Sequence, residues 1–168
     1  MTMSDYTVTL RDAVPADAAA CAAMHRNCWR EAYADIADPT LLQTRLADVG
    51  RWLSSWQRHL ESGPPRILAE VDGEIIGFAV AGPSRDPEPP VPDELYAVYV
   101  REYWYGSGVA QALLEAALGD KAASLWVLEE NARARAFYAR NGFVVDGARE
   151  WYADLGAWEV RMVRGMDA

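Results

Sequence analysis

Two cysteines and two histidines are all the thiol and imidazole groups that the 168 residues contain. Cys21 and Cys28 are seven positions apart; on one helix that is about 10 Å, too far for a disulfide. They read as buried thiols packing as small hydrophobes in a reducing compartment. His25 and His59 stand alone, without ligand spacing, so no metal site is expected. Basic charge is scarce too. Sixteen Lys and Arg against 25 Asp and Glu leave a net charge of −9, which argues against nucleic acid or an anionic membrane as a partner and mildly favours cationic small molecules such as amines. No apolar run reaches the roughly 18 residues of a membrane span, and nothing at the N-terminus resembles a signal peptide. The expectation is a cytoplasmic protein with no membrane segment.

What is present suits one folded domain, residues 1–168. Hydrophobic residues make up 51% of the chain, and this length buries a proper core. "YTVTLRDA" alternates as a strand does. Pro15 suits the first turn of a helix, with Asp17 near its positive end. Ala18, Cys21, Ala22, His25, Cys28, Trp29, Ala32 and Ile36 form one helical stripe. A second helix is expected from Pro39, with Leu42, Leu46, Val49, Leu53, Trp56 and Leu60 in period, stopped by "SGPP". "RILAEVDGEIIGFAVAG" reads as a hairpin turning at Asp72-Gly73. Five of the nine prolines then fall between Pro83 and Pro92, a loop of the kind that flanks binding clefts. "ELYAVYV" is a strand, followed by Gly106-Ser107-Gly108 and a helix to about Leu118. "SLWVL" is a strand, and "NARARAFYARNG" a helix capped by Asn131 and closed by Gly142. Two strands close the chain. The expected order is β-α-α-β-β-β-α-β-α-β-β.

The glycines between Val100 and Val109 sit in a strand–turn–helix setting, where main-chain N–H groups converge on an anion. Alone, that pattern fits a phosphate site and a plain tight turn equally. No Gly-Lys-Ser/Thr follows, so it is not a Walker loop. The third glycine of a dinucleotide fingerprint is replaced by Gln111.

Two stretches together are more specific. "YGSGVA" followed by "LWVLEENARARAFYARNGF" resembles the GNAT superfamily of acetyl-CoA-dependent N-acetyltransferases. The family loop, Gln/Arg-x-x-Gly-x-Gly/Ala, corresponds to Tyr105-Gly106-Ser107-Gly108-Val109-Ala110; Tyr105 departs from Gln or Arg yet still offers a main-chain N–H. Asn131, Tyr138 and Gly142-Phe143 match the second motif, and the element order matches across nearly the whole chain. The resemblance implies an α/β (α+β) fold with a mixed, mostly antiparallel central sheet, splayed in the middle and flanked by about four helices. It implies acetyl-CoA as cosubstrate, between the "ELYAVYV" and "SLWVL" strands. Val98, Tyr99 and Val100 would pair their backbone with the pantetheine arm. Gly106, Ser107, Gly108, Val109, Ala110 and Gln111 would hold the pyrophosphate, and Asn131 would bond the arm near the sulfur.

Acetyl transfer to an amine sets three demands. With a Lys-like pKa of about 10.4, fewer than roughly one amine in a thousand is neutral at pH 7, so a base is needed. The oxyanion needs donors, here strand N–H groups around Val98. The departing thiolate needs a proton, which the resemblance assigns to Tyr138. Glu94, at the start of the strand beside the cleft, is the expected base; the alternative family position holds Trp126. Glu129 and Glu130 read as partners of a helix dipole. His25, Trp29 and Tyr33 either line the acceptor pocket or pack the core. Arg133, Arg135 and Arg140 either meet the 3′-phosphate or form a solvated face. Trp151 and Trp158 read as core or as a homodimer surface. The expected activity is direct N-acetylation of a primary amine, on a small molecule rather than a protein. Transfer of another acyl group, or a non-catalytic acyl-CoA sensor, are the alternatives.

Overall fold

A computed structural model describes residues 6–165. Seven strands form one sheet in the order β1-β2-β3-β4-β5-β7-β6: β1 Thr9–Asp12, β2 Arg66–Val71, β3 Glu74–Pro83, β4 Asp93–Val100, β5 Ala123–Leu128, β6 Val144–Tyr152 and β7 Ala157–Arg164. Every neighbouring pair is antiparallel except β4 with β5. The expected mixed, mostly antiparallel sheet is therefore present.

Helices α1 (Ala18–Tyr33), α2 (Pro39–Ala47) and α3 (Val49–Ser62) cover one face. Their apolar sides, including Cys21, Cys28, Trp29, Trp52 and Trp56, close on Leu68, Phe78, Val80 and Leu128. Helices α4 (Val109–Leu118) and α5 (Ala132–Arg140) cover the other. There Leu114, Leu118 and Tyr138 pack with Leu95, Leu125, Val127 and Met162. Among the described residues, no helix is long and apolar enough to cross a membrane.

Five helices stand where about four were expected, because the segment after Pro39 breaks at Asp48. That residue leaves the helical region (φ −82°, ψ 68°) and its carboxylate accepts the Arg51 N–H, starting α3 afresh. The Trp52 indole then donates to the Arg45 carbonyl across the break, at 2.9 Å. The reset turns Val49 outward, 53% exposed, while Trp52 and Trp56 hold the buried stripe. Helix α1 likewise stops at Tyr33, short of Ile36.

Two departures from a regular sheet open its centre. Val80 pairs with Ala97, but Ala81 pairs with Leu95, so Tyr96 is an extra residue in β4. Such a bulge bends its strand and disrupts the ladder locally. On its other edge β4 meets β5 only at Glu94 and Ser124. Beyond that bridge the parallel strands diverge, and the β4 edge towards Val100 faces a gap. At the far edge, Trp151 and Trp158 are 53% and 41% exposed and pack edge-to-face on each other, so neither is a core residue.

Candidate active site

The gap between β4 and β5 belongs to a cavity of about 1070 Å³. Its lining runs from Gly106, Gly108 and Tyr138 on the α4–α5 side to His25, Tyr33 and Glu94 on the α1–α3 side. One opening thus serves both faces of the sheet.

At the α4 end the chain makes the expected turn. Gly106 and Gly108 have φ of +72° and +95°, the left-handed region that disfavours side chains. Glycine is needed there for backbone conformation, whatever binds. A Cβ on Gly106 would meet nothing within 4 Å, so space lies open beside it. The expected cradle is narrower than the six-residue motif. The Tyr105 N–H is bonded to the Glu102 carbonyl and the Ser107 N–H to that of Trp104. Ser107 Oγ donates to the Trp104 carbonyl and accepts the Val109 N–H, at 2.5 and 3.3 Å. Ala110 and Gln111 retain the outward N–H groups of a first helical turn. The Gln111 side chain is tied to Glu115 and Asn141. The Arg133 guanidinium stacks 3.6 Å over the Tyr105 ring, placing a cation beside the turn that lacks Gln or Arg. Arg140 also lines the cavity, whereas Arg135 is turned to the Glu129 carbonyl.

Asn131 caps α5, its Oδ1 accepting the Ala134 N–H at 3.2 Å, and it lines the cavity. One helical stretch further on, Tyr138 is held by ring contacts with Phe137 and Phe143, centroids 5.4 and 5.9 Å away. The residue is only 9% exposed and lines the cavity. Its hydroxyl has no hydrogen-bond partner among the described residues. Burial pushes its pKa up to about 12, with Arg133 opposing. The proton is therefore held more firmly than in a free tyrosine near 10.

On the α1–α3 side, Glu94 is buried. It is 1% exposed and accepts the Arg85 N–H and Nε–H at 3.0 Å, with Nη2 of Arg85 also on it. Arg85 lies over the Tyr96 ring. Asp86 accepts from the Trp126 indole and from Arg161, at 3.0 and 3.2 Å. The Pro-rich loop is thereby fastened to β4, β5 and β7 as a wall of the cavity. Trp126, on β5, offers an indole donor and no base to the cavity.

His25, Trp29 and Tyr33 both pack the core and line the cavity. The Trp56 indole donates to His25 Nδ1 at 3.2 Å, so the neutral ring carries its proton on Nε2. Burial, aided by Arg45 and Arg66, pushes this pKa down to about 3. His25 is thus a neutral wall residue. The Tyr33 and Tyr99 hydroxyls bond at 2.7 Å. Tyr99 therefore sends its side chain to the α1–α3 side. Cys21 and Cys28 are free and buried, and burial pushes both thiols up to about 12. Among the described residues, no three His, Cys, Asp or Glu side chains are grouped as a metal site requires.

Glu150 and Glu159 went unmarked in the sequence, yet both line the cavity. They face each other across the β6–β7 ladder. Only the strand register reveals that pairing, and "AWEVRMVRG" by itself shows nothing but alternation.

Residues 64–145 match the model of the acetyltransferase (GNAT) domain. A Mycobacterium tuberculosis protein described as a probable N-acetyltransferase, Rv2775, is 33% identical over 150 residues, covering 86% of this chain and 84% of that one. Among solved structures, one described as histone acetyltransferase HPA2 and related acetyltransferase from Corynebacterium glutamicum superposes with a TM-score of 0.69 at 25% identity, covering 96% of this chain and 97% of that one. The fold is also that of PaiA N-acetyltransferase from Thermoplasma acidophilum, solved with coenzyme A, at a TM-score of 0.66 and 17% identity over 92% of this chain and 98% of that one.

Proposed function

The chain belongs to the GNAT family of acetyltransferases, and on that premise we propose that it moves the acetyl group of acetyl-CoA directly onto a primary amine, with Tyr138 as the acid at the departing sulfur. The observation that carries this reading is Tyr138: the residue is 9% exposed and lines the cavity, and its hydroxyl is bonded to nothing among the described residues. A buried tyrosine normally has a partner for its hydroxyl, and here the partner is the substrate sulfur.

The residues present fit the donor. Gly106 leaves open space at the turn, and the Ala110 and Gln111 N–H groups with Arg133 and Arg140 supply cationic and dipolar contacts for its phosphates. The β4 edge facing β5 has no strand partner at Val98–Val100 among the described residues and can take the pantetheine amides as a short added strand. Asn131, its Oδ1 used in capping, has its amide N–H groups to offer the arm. Acetyl-CoA brings the activated thioester; the chain supplies orientation and proton transfer. The acceptor enters from the α1–α3 side, where His25, Trp29 and Tyr33 give an uncharged aromatic wall and the carboxylates at the split suit a cation. This aromatic lining with its carboxylates favours a small amine over a protein segment.

Direct transfer is tested by initial rates of thiol release with both substrates varied. Intersecting double-reciprocal lines are expected. Parallel lines, with acetyl retained on the protein when amine is omitted, would contradict it.

A further inference from the structure

We infer that Glu159 takes the proton from the acceptor amine, with Glu150, its cross-strand neighbour, as the group that tunes it. This assignment rests on the acetyl-transfer reading above. Four carboxylates stand around the split on the acceptor side. Two are engaged: Glu94 by Arg85, and Asp86 by Trp126 and Arg161. Glu150 and Glu159 form no hydrogen bond or ion pair among the described residues, yet both line the cavity. Like charges placed directly opposite on a ladder are destabilising, so packing and stability give no reason for this pair.

The register fixes their direction. Glu159 pairs with Leu128 in the β5–β7 ladder, and Leu128 packs into the α1–α3 core. Directly opposed residues share a face, so Glu159 and Glu150 point to the acceptor side. Tyr138 packs on the α4–α5 side. Acid and base thus stand on opposite sides of the split, as needed when the amine arrives from one side and the thiol leaves by the other. The charged and titratable surroundings are Glu150 and Tyr152 from β6, Arg85 and Asp86 from the Pro-rich loop, Glu94 from β4, and Arg161 further along β7. Burial first, then Glu150, push Glu159 up to about 7; Arg85 opposes and Glu94 adds to the rise. A carboxyl group in that range both accepts and releases a proton at neutral pH.

The ammonium group gives one proton to the Glu159 carboxylate. The freed nitrogen pair forms the N–C bond to the acetyl carbon, and the C–S bond breaks. The second nitrogen proton ends on sulfur, relayed at Tyr138, leaving amide and free thiol. Glu159 then returns its proton to solvent.

The test compares Glu159→Gln, Glu150→Gln and Glu94→Gln, using acetyl-CoA and a primary amine from pH 6 to 10, with the Glu159 carboxyl followed by carbon NMR in the substrate-free protein. For Glu159→Gln, kcat/KM at pH 7 should fall about a hundredfold, recovering partly as the amine itself becomes neutral, with acetyl-CoA affinity kept. For Glu150→Gln, both the acid limb of the rate and the NMR midpoint should move to lower pH. The assignment is overturned if Glu159→Gln keeps the rate and profile, if the acid limb is lost only in Glu94→Gln, or if Glu159 titrates like an ordinary glutamate. An unaltered protein that releases no thiol with any amine overturns the acetyl-transfer reading as well; the NMR titration, which needs no turnover, tells the two failures apart.

Discussion

Replacing Tyr138 by Phe removes one oxygen from the centre of the proposed chemistry and almost nothing from the fold. The ring keeps its contacts with Phe137 and Phe143. No internal hydrogen bond is lost, since the hydroxyl has no partner among the described residues. Burial raises the tyrosine to about 12, well above a free thiol at about 8.5, so transfer of its proton to thiolate as a separate step is unfavourable. Tyr138 therefore gives up its proton to the sulfur only as it takes the second nitrogen proton, in one concerted relay, and never stands as a free tyrosinate. A donor aimed at developing charge in a dry site is worth about 3–4 kcal/mol, or roughly 10²–10³ in rate. Single-turnover thiol release should slow by that factor, with the acetyl-CoA dissociation constant by calorimetry changed less than about threefold. The high value also means that no alkaline fall in rate from Tyr138 occurs below about pH 11. A Tyr138→Phe protein within twofold of the original rate would refute the reasoning. So would loss of rate and acetyl-CoA affinity in equal measure.

Four further outcomes rest on the same geometry. Gly108→Val, at φ +95°, should lower the melting temperature and weaken acetyl-CoA at least about tenfold; Arg133→Ala, which stacks on Tyr105 without an ion pair among the described residues, should weaken acetyl-CoA while the melting temperature falls by no more than about 4 °C, and calorimetry with thermal melts separates the two. His25 takes a proton at about 6.5 when unfolded but only at about 3 when folded, so its contribution is complete above pH 6.5 and is lost as pH falls towards 3, by about 1.4 kcal/mol per unit; melts at pH 5 and 7.5 should show a smaller acid loss in His25→Phe than in the parent. Glu159 has the opposite sign: raised from 4.5 to about 7, it is favourable below pH 4.5 and loses stability as pH rises to 7, so Glu159→Gln should melt higher than the parent at pH 8 and alike at pH 4.

Local chemistry was readable directly from the residues. Asp72-Gly73 turns the β2–β3 hairpin, Asn131 caps α5, and Gly106 and Gly108 turn into α4, because each depends on neighbours within a few positions. Asp48 shows where such reading stops: the apolar period runs through it from Leu42 to Leu60, and a single capping carboxylate decides that the helix restarts. The candidate site was legible only where a local motif carried it. Glu94 could be placed beside the cleft, but its capture by Arg85 depends on how the Pro-rich loop folds back. Glu150 and Glu159 become a pair only through the β6–β7 register, nine residues apart across a hairpin whose ladder is irregular between Val145 and Arg149. The Tyr105 N–H looked available until the preceding turn used it.

The central claim is that this cavity transfers acetyl to an amine, and one measurement addresses it most directly. Acetyl-CoA is incubated with each member of a panel of small primary amines, thiol release is followed continuously, and products are identified by mass spectrometry. The account predicts thiol release that depends on both protein and amine, matched mole for mole by an amine carrying one new acetyl group on nitrogen. Acetyl-CoA binding without release across the panel, or release only from a different acyl-CoA, would contradict it.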